Sequence, residues 1–157
     1  MRTYALMLSG LVLLSGCTHS IRNSAADGAF KRPAVIKIAA LPVDAMGAKS
    51  DITFAVAGEF LKAGWKVVDR SAITRVMEEQ QFQATGAVEK NAVKIGKMTG
   101  ANLVTTGTYA DSPRRYLYLR MIDVETGEIV ATTACFGSSG LAPCAAKELV
   151  RLISQAR

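Results

Sequence analysis

Four residues at the end of a short apolar run, Leu14-Ser15-Gly16-Cys17, have types and spacing that could do chemistry. Cys17 supplies a thiol that a diacylglycerol donor can alkylate, and Ser15 and Gly16 are small, as a peptidase cleft requires. Met1 and Arg2 give a minimal positive start, and Tyr4 to Leu14 follows without a charge. That run of about 11 residues falls short of the roughly 20 that a spanning helix needs and suits the apolar region of a signal peptide. The alternatives are a plain signal peptide with a chance cysteine, or a buried N-terminal helix. The reading adopted is a lipobox. Residues 1–16 are then a lipoprotein signal peptide, and Cys17 is the lipidation site, bearing diacylglycerol and an N-acyl chain such as palmitate. Thr18, not Asp, follows the cysteine. In the enterobacterial sorting pattern that implies the outer membrane, with the domain on its periplasmic face.

Other reactive side chains are sparse. The one His, His19, sits beside the lipid anchor, so neither a Ser-His-Asp set nor a metal site is expected. Gly137 to Gly140 lacks the Lys-Ser or Lys-Thr of a phosphate-cradling loop. Glu78 and Glu79 are adjacent on an expected helix and diverge, which suits a solvated face. The chain is therefore expected to be no enzyme, with no catalytic residues, no metal and no cofactor besides the lipid. Cys135 and Cys144 can pair in an oxidising compartment or stand as two small buried hydrophobes. Trp65 opens a strand and reads as core rather than as a ligand platform. The strongest surface candidates are Arg114, Arg115, Tyr116, Tyr118 and Arg120. Arg and aromatic residues on one strand face suit a protein partner, whereas tyrosines packed under a helix would be structural.

Composition sets the frame. The chain has 157 residues, 19 Lys and Arg against 13 Asp and Glu, and a net charge of +6. Without the leader it is one domain's worth of residues, large enough for a core. The basic residues are scattered, so nucleic acid is not an expected partner. Anionic head groups or phosphate-bearing glycans fit the excess better.

These residues need elements to hold them. Thr18 to Pro33 is small and polar, and residues 17–33 read as a lipidated flexible tether. About 15 such residues reach near 20 Å on average and near 50 Å fully extended. Residues 34–157 read as one α/β domain. Ala34 to Val43 is a buried strand ended by Pro42, and Asp44 to Lys49 a loop. Ser50 or Asp51 caps a helix through about Ala63, with Ile52, Ala55, Val56, Glu59 and Phe60 on one stripe. Trp65 to Asp69 is a strand, and Ser71 caps the next helix. Phe82 to Gly86 is a loop before a helix near Glu89 to Thr99. Asn102 to Tyr109 is a strand. Tyr116 to Asp123 alternates, with Leu117, Leu119 and Met121 on one face and Tyr116, Tyr118 and Arg120 on the other. A hairpin leads to the strand Ile129 to Phe136, and a last helix carries Ala145, Ala146, Leu149, Leu152 and Ile153. The order β-α-β-α-α-β-β-β-α predicts a mixed β-sheet with helices packed on it.

Four pieces in order, KIAALPV (Lys37 to Val43), GWKVVDRSAITRVMEEQ (Gly64 to Gln80), IGKMTGANLVTTGTY (Ile95 to Tyr109) and LRMIDVETGEIV (Leu119 to Val130), resemble the CsgG-like family of bacterial lipoproteins. The resemblance implies a CsgG-like periplasmic domain. It also implies a non-enzymatic assembly or adaptor role in an envelope machine such as curli-type secretion, through an envelope protein partner or a homo-oligomer. Unlike the channel-forming members, this chain has no spare strands for membrane hairpins, so a pore is not expected. Two alternatives accompany that reading: an activator of a peptidoglycan synthase, LpoB-like, whose target sits on the inner membrane, and a periplasmic glycan or small-ligand binding domain.

Overall fold

The computed structural model describes residues 20–46, 52–80, 91–111 and 114–156. The leader, Cys17, the Ser50–Asp51 cap and the loop Phe82–Gly86 lie outside them. Seven strands form one open mixed sheet: β1 (Ser20–Ala26), β2 (Lys37–Ala40), β3 (Asp44–Met46), β4 (Lys66–Val67), β5 (Leu103–Ala110), β6 (Tyr116–Asp123) and β7 (Ile129–Phe136). Among the described residues four helices pack on it: α1 (Ile52–Lys62), α2 (Arg70–Glu79), α3 (Ala92–Thr99) and α4 (Leu141–Gln155). The strands lie in the order β1-β7-β6-β5-β2-β4, with β3 also paired to β5. Helix-linked β2, β4 and β5 pair in parallel, while β5, β6, β7 and β1 are antiparallel. The mixed α/β class expected from the element order is the observed one.

The core divides by sheet face. α1 and α4 cover one side, where Phe60, Leu103, Leu117, Leu119, Met121, Leu149 and Ile153 are fully buried. α2 and α3 cover part of the other over Leu41, Ile73, Ile95, Val104 and Ile122. The stripe of α4 is buried throughout, and each Leu or Ile on it contributes roughly 1.5–3 kcal/mol. Trp65 belongs to the core, its ring stacked on Phe60 at 5.3 Å. β5 meets β6 so tightly at Gly107 that an added Cβ would lie 2.1 Å from the Tyr118 carbonyl oxygen.

Two stretches depart from expectation. Ser20–Ala26, read as tether, is an antiparallel edge strand on β7, from Ser20 opposite Phe136 to Ala26 opposite Ala131. Its sequence, with Ile21 the one β-branched residue, has little strand preference. What places it is the unpaired edge of β7, whose N–H and C=O groups need partners. The Ser24 hydroxyl also bonds Glu148 on α4, tying β1 to the helix layer. Asp44–Met46, read as loop, is a short strand. Pro42 lacks an N–H and interrupts the pairing, so β2 takes Leu103–Thr105 of β5 and β3 resumes at Thr108–Ala110.

Two buried carboxylates interrupt the apolar stripes, each paired one turn on. Glu59 accepts from Lys62 Nζ at 2.7 Å. Glu148 takes a two-pronged contact from Arg151, 2.8 Å from Nε and 2.6 Å from Nη2. These bonds hold both carboxyls below the usual range. The structure joins Cys135, at the end of β7, to Cys144, in the first turn of α4, with Cα atoms 6.3 Å apart.

Candidate functional site

The alternation along β6 puts Leu117, Leu119 and Met121 in the core and leaves Tyr116, Tyr118 and Arg120 half-buried on the opposite face. The Tyr116 ring tilts against Phe136 at 6.0 Å, and the Arg120 guanidinium lies 5.8 Å from the Tyr118 ring centroid. Such a cation–ring contact is worth about 0.5–1 kcal/mol at a half-exposed site. The apolar cluster under α2 and α3 takes in Ile122 and Val124 but neither tyrosine. These side chains therefore form a partly open shelf.

Arg114 and Arg115 stand apart from that shelf, exposed at the end of the sheet before β6 begins. Arg115 donates through Nε to Asp111 and through Nη1 to the Ser138 carbonyl at 2.8 Å. The Asp111 bond raises the guanidinium pKa further, so Arg115 stays cationic at any working pH. A cleft of about 420 Å³ opens there, lined by Ser20, Asp111, Arg114, Arg115, Phe136 and Ser138. The five expected residues thus fall into two groups: a Tyr–Tyr–Arg shelf and an arginine-bearing cleft.

A second surface was missed in the sequence. α1 carries Phe54 and Leu61 outside its buried stripe, 57% and 59% exposed. With Ala57 they line a cavity of about 230 Å³ between α1, α2 and β4, floored by Ala40, Val68 and Ile73. Another cavity, of about 210 Å³, adjoins it and shares Ala40, Thr53, Arg70 and Ile73. Arg70 closes the rim, its guanidinium 4.5 Å from the Phe54 ring centroid. The signal was present: Phe54, Ala57 and Leu61 sit at i, i+3 and i+7 and make a second apolar stripe. Asp69 caps α2, accepting from the Ser71 backbone N–H at 2.7 Å and from the Ser71 hydroxyl, and these bonds lower its pKa. Ser71, expected as the cap, is the donor. An apolar groove with an arginine rim can seat an apolar or aromatic side chain of a partner.

Among the described residues no group of three His, Cys, Asp or Glu side chains is placed to hold a metal ion. No helix there is long and apolar enough to cross a membrane.

This is an open mixed-sheet α/β domain with helices on both faces, a cleft at one sheet end and an apolar groove beside α1. It is similar to the LpoB C-terminal domain from Salmonella enterica, at 15% identity and a TM-score of 0.56, over 72% of this chain and 88% of that one. It is similar to LpoB from Escherichia coli, at 14% identity and a TM-score of 0.54, over 88% and 81%. The PelC dodecamer of Paraburkholderia phytofirmans matches at 16% identity and a TM-score of 0.50, over 89% and 99%. No family model matches the chain, and no curated protein is significantly similar in sequence. Identity this low shows a shared fold.

The CsgG-like resemblance is thereby overturned: the structural neighbours are LpoB and PelC, not CsgG. The reason is visible in the four pieces that carried it. KIAALPV is β2 and its exit, the second piece is β4 with the capped α2, the third is α3 running into β5, and the fourth is the β6–β7 hairpin. Each is an element with its cap or turn, which any chain of this topology needs. They specified a fold and not a lineage, and the curli reading falls with the family.

Proposed function

We propose that this chain is a lipid-anchored, non-catalytic protein of the bacterial envelope that works by protein contact, as an activator of a peptidoglycan synthase. The supporting observation is the likeness to LpoB, which spans 88% of the LpoB C-terminal domain. The contact surface is the groove between α1 and α2, where Phe54 and Leu61 are more than half exposed and Arg70 supplies a charged rim. Cys17 provides the anchor, by diacylglycerol and N-acyl lipid, at the periplasmic face of the outer membrane. Self-assembly is the second reading. It draws on the open β4 edge beside that groove, and on PelC, a structural neighbour that is a dodecamer.

One experiment separates the two. A photo-crosslinking residue is placed at Phe54 and, separately, at Tyr118, in cells making the full chain, and adducts are identified by mass. Activation predicts a synthase adduct at Phe54 that Leu61→Ser abolishes. Self-assembly predicts an adduct of twice the chain's mass. Adducts with neither, on a chain whose Cys17 still takes up labelled palmitate, refute the contact role. Loss of labelling on Cys17→Ala is expected, and persistence of label elsewhere refutes the anchor.

A further inference from the structure

The unexpected strand β1 fixes how the domain meets its membrane. Only Thr18 and His19 separate Cys17 from Ser20, the first residue of β1. Three residue steps span at most about 11 Å in any conformation. The polar layer of one leaflet is about 5–8 Å thick. With lipid on Cys17, Ser20 lies in or just outside the head groups. Register then carries the rest of that sheet end with it: Ser20 stands opposite Phe136, Phe136 opposite Tyr116, and Tyr116 opposite Ala110.

The cleft with two arginines is at this end and includes Ser20 itself. Arg115 is held in place by Asp111 and the Ser138 carbonyl. Those bonds engage two of the five N–H donors of a guanidinium. Arg114 is exposed and makes no ion pair among the described residues. Two guanidinium groups face one carboxylate, so the cleft has an uncompensated positive charge. Arginine is the side chain best matched to phosphate oxygens.

We propose that the sheet end bearing Arg114 and Arg115 rests on the membrane, and that its cleft takes the phosphate of a lipid head group. This rests on the anchor reading of Cys17. It moves Arg114 and Arg115 from the partner surface to the membrane surface and leaves Tyr116, Tyr118 and Arg120 for proteins.

Trp65, the chain's one tryptophan, is a built-in control. It precedes β4 at the opposite end of the sheet, since Lys66 pairs with Lys37 and Ile38 with Leu103. Seven residue rises, Leu103 to Ala110, separate the two sheet ends by about 23 Å along β5, and Trp65 lies two residues beyond the Leu103 level. The lipidated full chain is reconstituted in phosphatidylethanolamine–phosphatidylglycerol vesicles carrying nitroxide-labelled head groups, and tryptophan quenching is measured. Three chains are compared: the native one, Trp65→Phe with Phe136→Trp, and that pair with Arg114→Glu added. Arg114→Glu leaves both Arg115 bonds intact, and circular dichroism checks the fold of each. The indole introduced by Phe136→Trp should be quenched at least three-fold more than Trp65, and Arg114→Glu should lower that at least two-fold. Equal quenching at the two ends overturns the orientation. Quenching indifferent to Arg114→Glu overturns the phosphate site. A native chain that fails to float with vesicles overturns the anchor itself, a different result from a floating chain without the difference.

Discussion

Reducing the Cys135–Cys144 bond should lower stability by an amount the structure allows to be worked out. The bond closes a separation of 9 residues between the end of β7 and the first turn of α4. In the chain-entropy model a loop of that size stabilises the fold by about 2.6 kcal/mol at 25 °C. Little should be added or subtracted by packing. Both residues are buried, and a free cysteine packs as a small hydrophobe. For a domain between 100 and 150 residues, about 2.6 kcal/mol corresponds to a fall in Tm of roughly 8–12 °C.

The assay is equilibrium urea unfolding of the chain from Thr18 onward, with and without a phosphine reductant. That chain has Cys135 and Cys144 as its only cysteines. The midpoint should fall, and the m-value should rise slightly because the reduced unfolded chain exposes more surface. The Cys135→Ala, Cys144→Ala double variant should unfold at one midpoint in both buffers. A loss below about 1 kcal/mol on reduction would refute the reasoning, as would an equal response in the double variant.

Other consequences are as direct. Gly107→Ala should cost at least about 2 kcal/mol, because the new Cβ meets the Tyr118 carbonyl oxygen on paired backbone; Gly58→Ala, with nothing within 4 Å in helix α1, should stabilise by about 0.5–1 kcal/mol, and chemical denaturation of the two variants checks both signs. Glu148→Gln should cost about 1–2 kcal/mol at neutral pH, the worth of charge-assisted bonds to a half-exposed Arg151. Because the native Glu148 carboxyl is held below its ordinary range, its contribution is present above that range and lost as pH falls through the lowered native value. The gap between wild type and Glu148→Gln should thus close on acidification; a gap that widens contradicts the assignment. Hydrogen exchange should find amides of Ser20–Ala26 protected by pairing with β7; exchange at the rate of free peptide would return the segment to a tether.

Much of the architecture could be read from pattern because pattern and burial coincide there. β6 alternates and is buried on one side; α4 keeps its apolar residues at helical spacing and buries them all. Gly107 is a glycine inside a strand pattern, a signal of close backbone approach, and the Tyr118 carbonyl is what approaches. β1 was hidden because its pairing is dictated by a partner edge more than a hundred residues away and by Ser24 meeting Glu148. Local propensity contains neither fact. The groove was hidden for a different reason. Phe54 and Leu61 were not on the stripe that defined α1, and an apolar residue off the stripe signals a surface only once the neighbouring α2 is in place. The candidate strand face was legible as a list of residues. Its division into shelf and cleft was not, because Arg114 and Arg115 precede the strand and line a separate cleft, where Arg115 bonds the Ser138 carbonyl.

With Cys17 lipidated as proposed, the recovered strand alters what the anchor can do. A free segment of 15 residues would let the domain range up to about 50 Å from the bilayer; with β1 docked, three residue steps separate Cys17 from the sheet and the range falls to about 11 Å. In the proposed orientation the strands that begin or end at the cleft run away from the membrane. The β6–β7 hairpin and the turn around Gly127 become the parts that point into the periplasm. The α1–α2 groove lies toward the opposite sheet edge, beside β4. On the proposed anchor, a partner bound there must come to the membrane that holds Cys17, or be a neighbour already on it. A synthase based on the inner membrane can meet that requirement only by extending its own periplasmic part to the domain. A second copy meets it at no further cost in reach. On that proposal the same seven residues that close the edge of the sheet decide where the protein contact takes place.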